Sequence, residues 1–189
     1  MYVTSGLCRK KSFYPYLFVV APLSTRTTNL LEVCMEKSLL ENKKILAVDD
    51  EPDVLTVLQE EIGDACKSCT FDKATNYEEA MKKLDSAHYD IVILDIMGVR
   101  GFDLLDAAMK KGLKAVMLTA HALNSDALKR AYDMKARAYL PKDKLGEIVP
   151  FLEDVLKYDF TPGWKKLFEK LDHFFDEQFE PGWKNKISY

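Results

Sequence analysis

The sequence predicts an α/β domain built on a five-stranded parallel sheet, followed by one extra amphipathic helix. Short, unbroken apolar runs at Ile45–Val48, Ile91–Leu94, Val116–Leu118 and Ala138–Leu140 have the length and composition of strands buried on both faces. Between them lie segments whose apolar residues recur at helical spacing, and this alternation is the pattern of βα units. Each run is also followed closely by polar residues: Asp49 and Asp50, Asp95, Thr119, and Lys142. Open parallel sheets place their sites at the carboxyl ends of strands, so these side chains are expected on one rim.

The elements follow in order. Strand Lys44–Val48 leads into a helix opened by Pro52, a favoured first-turn residue, with Val54, Leu55, Leu58 and Ile62 on one face. Cys69–Ala74 reads as a more polar, edge-like strand. Asn76, with Glu79 three residues later, is a capping pair for a helix through Ala80, Met81 and Leu84. Strand Ile91–Leu94 runs into a loop with Gly98 and Gly101, then a helix bearing Leu104, Leu105, Ala108 and Met109 that Gly112 ends. Strand Ala115–Leu118, a helix from Ser125 through Tyr132, strand Ala136–Leu140 and a helix from Lys144 to Lys157 complete five units, with right-handed crossovers. Pro150 is expected to kink or break the last of these helices.

Residues 158–189 form an appendage. Phe160-Thr161-Pro162-Gly163-Trp164-Lys165 recurs in part as Phe179-Glu180-Pro181-Gly182-Trp183-Lys184, too few copies for a repeat array. Between them Trp164, Leu167, Phe168, Leu171, Phe174 and Phe175 keep helical spacing, with Thr161 as the expected cap and Pro162 in the first turn. The apolar stripe must cover the domain, pair with another chain or meet a membrane surface. Packing on its own domain or on a twin is favoured, because the polar face is not notably basic.

A chain of 189 residues, 48% of them apolar, can bury one good core with tails. Its net charge of −3, with acids and bases interleaved, gives no phosphate-neutralising surface, so no direct nucleic-acid partner is expected. Four cysteines do not make a disulfide framework and fit a reducing cytoplasm. Cys66-Lys67-Ser68-Cys69 has redox or half-zinc spacing but no second pair, so two small residues packed between helix and strand is the better reading. Residues 1–43 read as a poorly ordered leader, with Met35 as an alternative start; their apolar stretch is interrupted by Pro15 and Pro22 and is too short to span a bilayer.

Bringing Asp49, Asp50 and Asp95 together creates repulsion of about 4 kcal/mol per close pair at the effective dielectric of a protein surface. Lys142 offsets part of it, and a hard divalent cation offsets more, so the cluster predicts a Mg²⁺ site. A carboxylate beside Mg²⁺ can attack phosphorus and form an acyl phosphate, with Lys142 and the Thr119 hydroxyl neutralising the moving group. Taken singly, paired acids cap helices and a Thr or Lys at a strand end is ordinary surface. Their ordered recurrence on successive strands is what argues for a site.

Asp49-Asp50-Glu51-Pro52, Ile93-Leu94-Asp95-Ile96-Met97, Leu118-Thr119-Ala120 and Tyr139-Leu140-Pro141-Lys142 resemble, in that order, the motifs of the receiver domain of bacterial two-component response regulators, over residues 44–157. The resemblance implies a flavodoxin-like, doubly wound sheet with strand order 2-1-3-4-5. It implies Asp95 as phospho-acceptor, Asp50 as direct metal ligand, Asp49 acting largely through water, and the Met97 carbonyl as a further ligand. Thr119 and Lys142 would contact the phosphoryl group, Tyr139 would be the aromatic residue whose orientation reports activation, and Met97 and His121 would tune hydrolysis. The chain departs from the family where Gly98-Val99-Arg100-Gly101 replaces a longer loop that usually begins with proline.

What the resemblance implies is a stand-alone cytoplasmic receiver that takes a phosphoryl group from a sensor histidine kinase or phosphotransfer protein and signals by contact with a downstream protein or a second copy. It promotes its own phosphorylation and dephosphorylation rather than acting as a conventional enzyme. A receiver-shaped scaffold that is never phosphorylated is one alternative. An aspartate-nucleophile phosphatase is another, but such enzymes carry D-x-D after the first strand, whereas Asp95-Ile96-Met97 follows the third. A nucleotide-binding module would need a Gly-rich phosphate loop that the first strand lacks.

Overall fold

A computed structural model describes residues 37–120 and 125–187. The apolar runs become β1 (Lys44–Val48), β3 (Ile91–Asp95), β4 (Lys114–Thr119) and β5 (Ala138–Pro141), each almost wholly buried, while β2 (Thr70–Ala74) is mostly half-buried. All pairings are parallel and the order is β2-β1-β3-β4-β5, which leaves polar β2 and short β5 at the two edges. Helices α1 (Pro52–Ala65), α2 (Tyr77–Ser86), α3 (Gly101–Lys110), α4 (Ser125–Asp133) and α5 (Ile148–Lys157) connect and follow the strands. α1 packs against α5 and α2 against α3, as expected for helices on two faces of the sheet.

Local signals explain most boundaries. Pro52 is the first residue of α1, and Asn76 Oδ1 accepts from the Glu79 N–H at 2.9 Å. Glu79 reaches back to the Thr75 N–H at 3.1 Å, one residue before the cap. α3 ends where Gly112 adopts φ +70° and the Leu113 N–H returns to the Ala108 carbonyl. Residues 37–43, assigned to the leader from sequence, form a turn that buries Leu40 and ties Ser38 Oγ to Glu153 of α5 at 2.7 Å. The rest of the leader, including Met35, lies outside the described residues. Cys66 is buried and Cys69 half-buried, both are free thiols, and burial pushes Cys69 up to about 11.

Beyond one-residue shifts at the ends of β2, β3 and β4, three boundaries differ from the sequence reading. β5 starts at Ala138, not Ala136, because Lys135 turns left-handed at φ 69° and the Ala136 N–H is spent on the Ala131 carbonyl at the end of α4. The last βα helix is split: a 3₁₀ turn spans Lys142–Glu147 and α5 begins at Ile148. The break therefore precedes Pro150, which sits in the first turn of α5, where its missing N–H had no helical partner to lose. Thr161 is not the cap of α6 (Phe160–Gln178); Asp159 holds that position without a side-chain hydrogen bond, leaving Thr161 and Pro162 in the first turn.

α6 uses its apolar stripe within the chain. Trp164, Leu167, Phe168, Leu171 and Phe175 are buried, and the helix lies on α5 and the β5 edge of the sheet. Trp164 Nε1 donates to the Ala136 carbonyl at 2.9 Å, satisfying an acceptor beside an otherwise open edge strand. The Arg137 guanidinium donates to the Tyr158 carbonyl and fixes the corner between α5 and α6. A homodimer would have to use another surface. Among the described residues no helix is long and apolar enough to cross a membrane.

Trp164→Ala should lower the unfolding free energy by about 3–5 kcal/mol, the range for emptying a large buried aromatic site. Urea denaturation followed by circular dichroism checks this, and a loss below about 1 kcal/mol would mean that α6 is only loosely attached.

Candidate functional site

Strand register gathers the site. Val48 pairs with Leu94, Asp95 with Leu118 and Thr119 with Pro141, so Asp49, Asp95, Thr119 and Lys142 leave the sheet at nearly one level. The Asp49 N–H is still held by the Ala74 carbonyl at 3.1 Å and the Ile96 N–H by the Leu118 carbonyl at 3.0 Å, which fixes the backbone on both sides of the rim. Asp49, Asp95 and Thr119 are buried, whereas Asp50 is exposed.

The Lys142 ammonium bridges the acids. Its Nζ lies 2.8 Å from Asp49 Oδ2, 3.1 Å from Asp95 Oδ1 and 2.7 Å from Glu51 Oε1. Asp49 Oδ1 accepts hydrogen bonds from Lys142 at 3.0 Å and from the Glu51 N–H at 3.0 Å. The approach to Oδ2 is close but badly angled for a hydrogen bond, so this buried oxygen keeps unused acceptor capacity. One oxygen from each of Asp49, Asp50 and Asp95 lies within 4.8 Å of the others.

Burial, reinforced by the Asp49 charge, pushes Asp95 up to about 6 despite the nearby ammonium. Burial also raises Asp49, against the opposing pull of Lys142 and the Glu51 N–H. Lys142 moves the other way: burial lowers it, but its bonds to Asp49 and Glu51 and the Asp95 charge together hold it above the usual lysine range. The cluster is short of positive charge. An oxygen donor set with a free buried lone pair suits a hard divalent cation such as Mg²⁺.

The turn from β3 to α3 is compact because of two glycines. Gly98 has φ +63° and lies between the Met97 carbonyl and the Val99 N–H, which are joined at 2.5 Å. A Cβ on Gly98 would collide with the Asp50 carboxylate, and one on Gly101 with the Asp95 backbone carbonyl. Asp50 thus occupies the space a side chain would fill. Met97 is exposed at the rim and its carbonyl spends one lone pair on the Val99 N–H.

Thr119 Oγ1 is buried and makes no hydrogen bond of ordinary geometry. Tyr139 is buried on β5, and burial pushes its phenol up to about 12 although the nearby Thr119 hydroxyl pulls the other way. His121, read as a tuning position, lies outside the described residues. Two contributors escaped the sequence reading. Glu51 sits at the N-cap of α1 without capping it and turns its side chain to Lys142 instead. A glutamate where Ser, Asp or Asn is preferred was the available signal. The fit of Gly98 beneath Asp50 had none beyond the glycine itself.

Comparison with known proteins agrees with this fold. Residues 45–152 match the family model described as the response regulator receiver domain. The sensory transduction protein LytR of Staphylococcus haemolyticus (strain JCSC1435) is 35% identical over 101 residues, covering 52% of this chain and 39% of that protein. The chain thus spans about two fifths of the length of this curated relative. Among solved structures, the chemotaxis protein CheY4 of Vibrio cholerae superposes with a TM-score of 0.54 at 25% identity, covering 60% of this chain and 98% of that one. A response regulator from Thermotoga maritima gives 0.56 at 16% identity over 62% of this chain and 99% of that one, a likeness of fold alone.

The raised Asp95 makes a stability prediction for the metal-free protein. Its carboxyl takes up a proton more readily when folded, at about 6, than at the ordinary value of 3.8, so its contribution is full below about pH 4 and is lost as pH rises through 6. Asp95→Asn should therefore stabilise the chelator-treated protein at pH 7.5 by about 1 kcal/mol, allowing for solvent screening at an open rim. The gain should vanish at pH 4. Thermal unfolding at both pH values tests it, and an equal effect at the two would overturn it.

Proposed function

Because the chain belongs to the response regulator receiver domain family, we propose that it accepts a phosphoryl group on Asp95 from a sensor histidine kinase or a phosphotransfer protein and signals through protein contact. The observation that carries this reading is the convergence of three carboxylates with one bridging ammonium at a strand-end rim.

Asp49, Asp50 and Asp95 would hold Mg²⁺, with the Met97 carbonyl as a further oxygen donor; the ion supplies neutralisation of the transferring group's oxygens. Asp95 is read as the acceptor from its place in the family motif at the end of the central strand β3, 3.1 Å from the Lys142 ammonium. Its carboxylate oxygen forms the new bond to phosphorus while the phosphorus–nitrogen bond of the donor phosphohistidine breaks, and the bonding pair returns to the imidazole. Lys142, already drawn toward the rim by Asp49, Glu51 and Asp95, neutralises one phosphoryl oxygen. The unpartnered Thr119 hydroxyl donates to another. Hydrolysis uses water as nucleophile at phosphorus, breaks the Asp95 oxygen–phosphorus bond, and releases inorganic phosphate as the Asp95 carboxylate is regenerated. Tyr139, on the neighbouring strand, would sense the Thr119 side chain, and Met97 and His121, the latter outside the described residues, would tune hydrolysis.

Incubation with a small phosphodonor and Mg²⁺ should give one acid-stable, base-labile phosphoryl group per chain, mapped to Asp95 and absent from Asp95→Asn. No label, or continuous phosphate release without a stable adduct, would reject the reading. Gly98→Ala should weaken Mg²⁺ binding by at least about tenfold, since the added methyl displaces Asp50 and strains a positive φ. Titration calorimetry reads this directly, and wild-type affinity in the variant would remove Asp50 from the ligand set.

A further inference from the structure

The Cys66-Lys67-Ser68-Cys69 segment takes no part in the rim chemistry. Cys66 is the C-cap of α1 and Cys69 directly precedes β2, so the pair lies at the opposite end of the parallel sheet from Asp95. The four residues fold back on themselves: the Cys69 thiol donates to the Cys66 carbonyl at 3.0 Å. That fold also brings the Cys69 thiol within hydrogen-bonding reach of Cys66 Sγ. Cys66 is 3% exposed and Cys69 half-buried, so one sulfur is covered and the other meets solvent.

Ser68 completes the arrangement. Its Oγ accepts the Asn42 N–H at 3.1 Å, which leaves the hydroxyl proton to point at Cys66 Sγ, 3.8 Å away. The backbone N–H groups of Ser68 and Cys69 also face that sulfur. Burial pushes the Cys66 thiol up, but these donors, led by the Cys69 thiol and the Ser68 hydroxyl, outweigh it and hold Cys66 below the usual thiol range. Burial and the neighbouring Cys66 push Cys69 the other way, to about 11. The two sulfurs are thus unequal, one prepared to carry negative charge and one keeping its proton. Cysteines that serve only as small packing residues need no ring of donors around one sulfur.

We propose that Cys66 and Cys69 form a redox site for small hydroperoxides, with Cys66 as the attacking sulfur and Cys69 as the resolving one. The Cys66 thiolate attacks one peroxide oxygen as the O–O bond breaks, giving a sulfenic acid and a hydroxide that takes up the proton Cys66 released. The Cys69 sulfur then attacks the Cys66 sulfur: the S–S bond forms, the S–O bond breaks, and the hydroxyl leaves with the Cys69 proton as a second water. The two thiols lose two electrons and the peroxide gains them. The cover over Cys66 selects the oxidant, because hydrogen peroxide is little larger than water, whereas a glutathione disulfide must press a peptide against a sulfur that is 3% exposed. The inference does not depend on Asp95 being the acceptor.

The reduced full chain, treated with hydrogen peroxide or separately with oxidised glutathione, tests this by differential alkylation and peptide mass mapping, which read Cys8 and Cys34 apart from the pair. Hydrogen peroxide should join Cys66 to Cys69 in a bond that a dithiol reductant reopens, while oxidised glutathione at the same concentration leaves both thiols free over the same time. In Cys69→Ser, peroxide should leave a sulfenic acid on Cys66 that a 1,3-diketone captures; in Cys66→Ser, Cys69 should stay reduced. Ser68→Ala, with its fold verified by circular dichroism, should slow closure about twofold, because losing one donor lowers the thiolate fraction by more than the rise in nucleophilicity returns. A wild-type pair that stays reduced in peroxide overturns the site. Oxidation of Cys69 in Cys66→Ser at the wild-type rate, or a wild-type closure rate in Ser68→Ala, overturns the assigned roles, and closure by oxidised glutathione as fast as by peroxide overturns the oxidant class. Phosphoryl labelling of Asp95 succeeds or fails independently of these results.

Discussion

Charge crowding at the end of the sheet governs this molecule. Two buried aspartates and a third at the surface share one rim, and a single lysine from beyond the far edge strand bridges them. At a surface-like effective dielectric each close pair of carboxylates costs about 4 kcal/mol, and the ammonium that contacts Asp49, Asp95 and Glu51 carries one positive charge against theirs. Asp95 answers by holding its proton up to about 6. The resting site is therefore starved of positive charge, and a site in that condition favours a hard cation. Glu51 adds a fourth carboxylate, which makes Lys142 a shared resource: what the ammonium gives to Glu51 it withholds from Asp95.

The short turn after β3 sets how close the acids come. Gly101 lets α3 start directly against the Asp95 carbonyl, and Gly98 leaves room for the Asp50 carboxylate. A side chain at Gly101 would push the start of α3 off the Asp95 carbonyl, and one at Gly98 would displace the Asp50 carboxylate. The compact loop, a departure from the usual pattern of the family, is thus compensated by side-chain absence rather than by added length.

Much of this could be read from the chain beforehand, and the parts that could not share a cause. Continuous apolar runs ending in Asp95 or Thr119 announce buried strands because nothing else tolerates such runs, and Asn76, Pro52 and Gly112 mark helix ends through purely local chemistry. Thr161 failed as a cap because the helix already begins at Phe160, with Asp159 in the cap position, and Ala136 failed as a strand residue because its N–H was claimed by the turn that closes α4. Both outcomes depend on competition between neighbours that propensity does not rank. The Glu51–Lys142 pair, 2.7 Å apart in space, is separated by most of the domain in sequence and had no local trace beyond a weak capping residue.

The same distinction between local and distant forces explains why the appendage is built from two materials. An edge strand such as β5 needs a permanent cover, and burying Trp164, Phe168 and Phe175 against it makes separation cost several kilocalories per mole. The segment that follows continues the cover with the same material first and the other only at its margin: Phe179 and Trp183 are buried against Phe175, while Lys186 joins Ser125, Asp126 and Glu180 where that packing meets solvent. Apolar burial supplies the strength of the attachment, and the ion pairs, screened by water, fix its register.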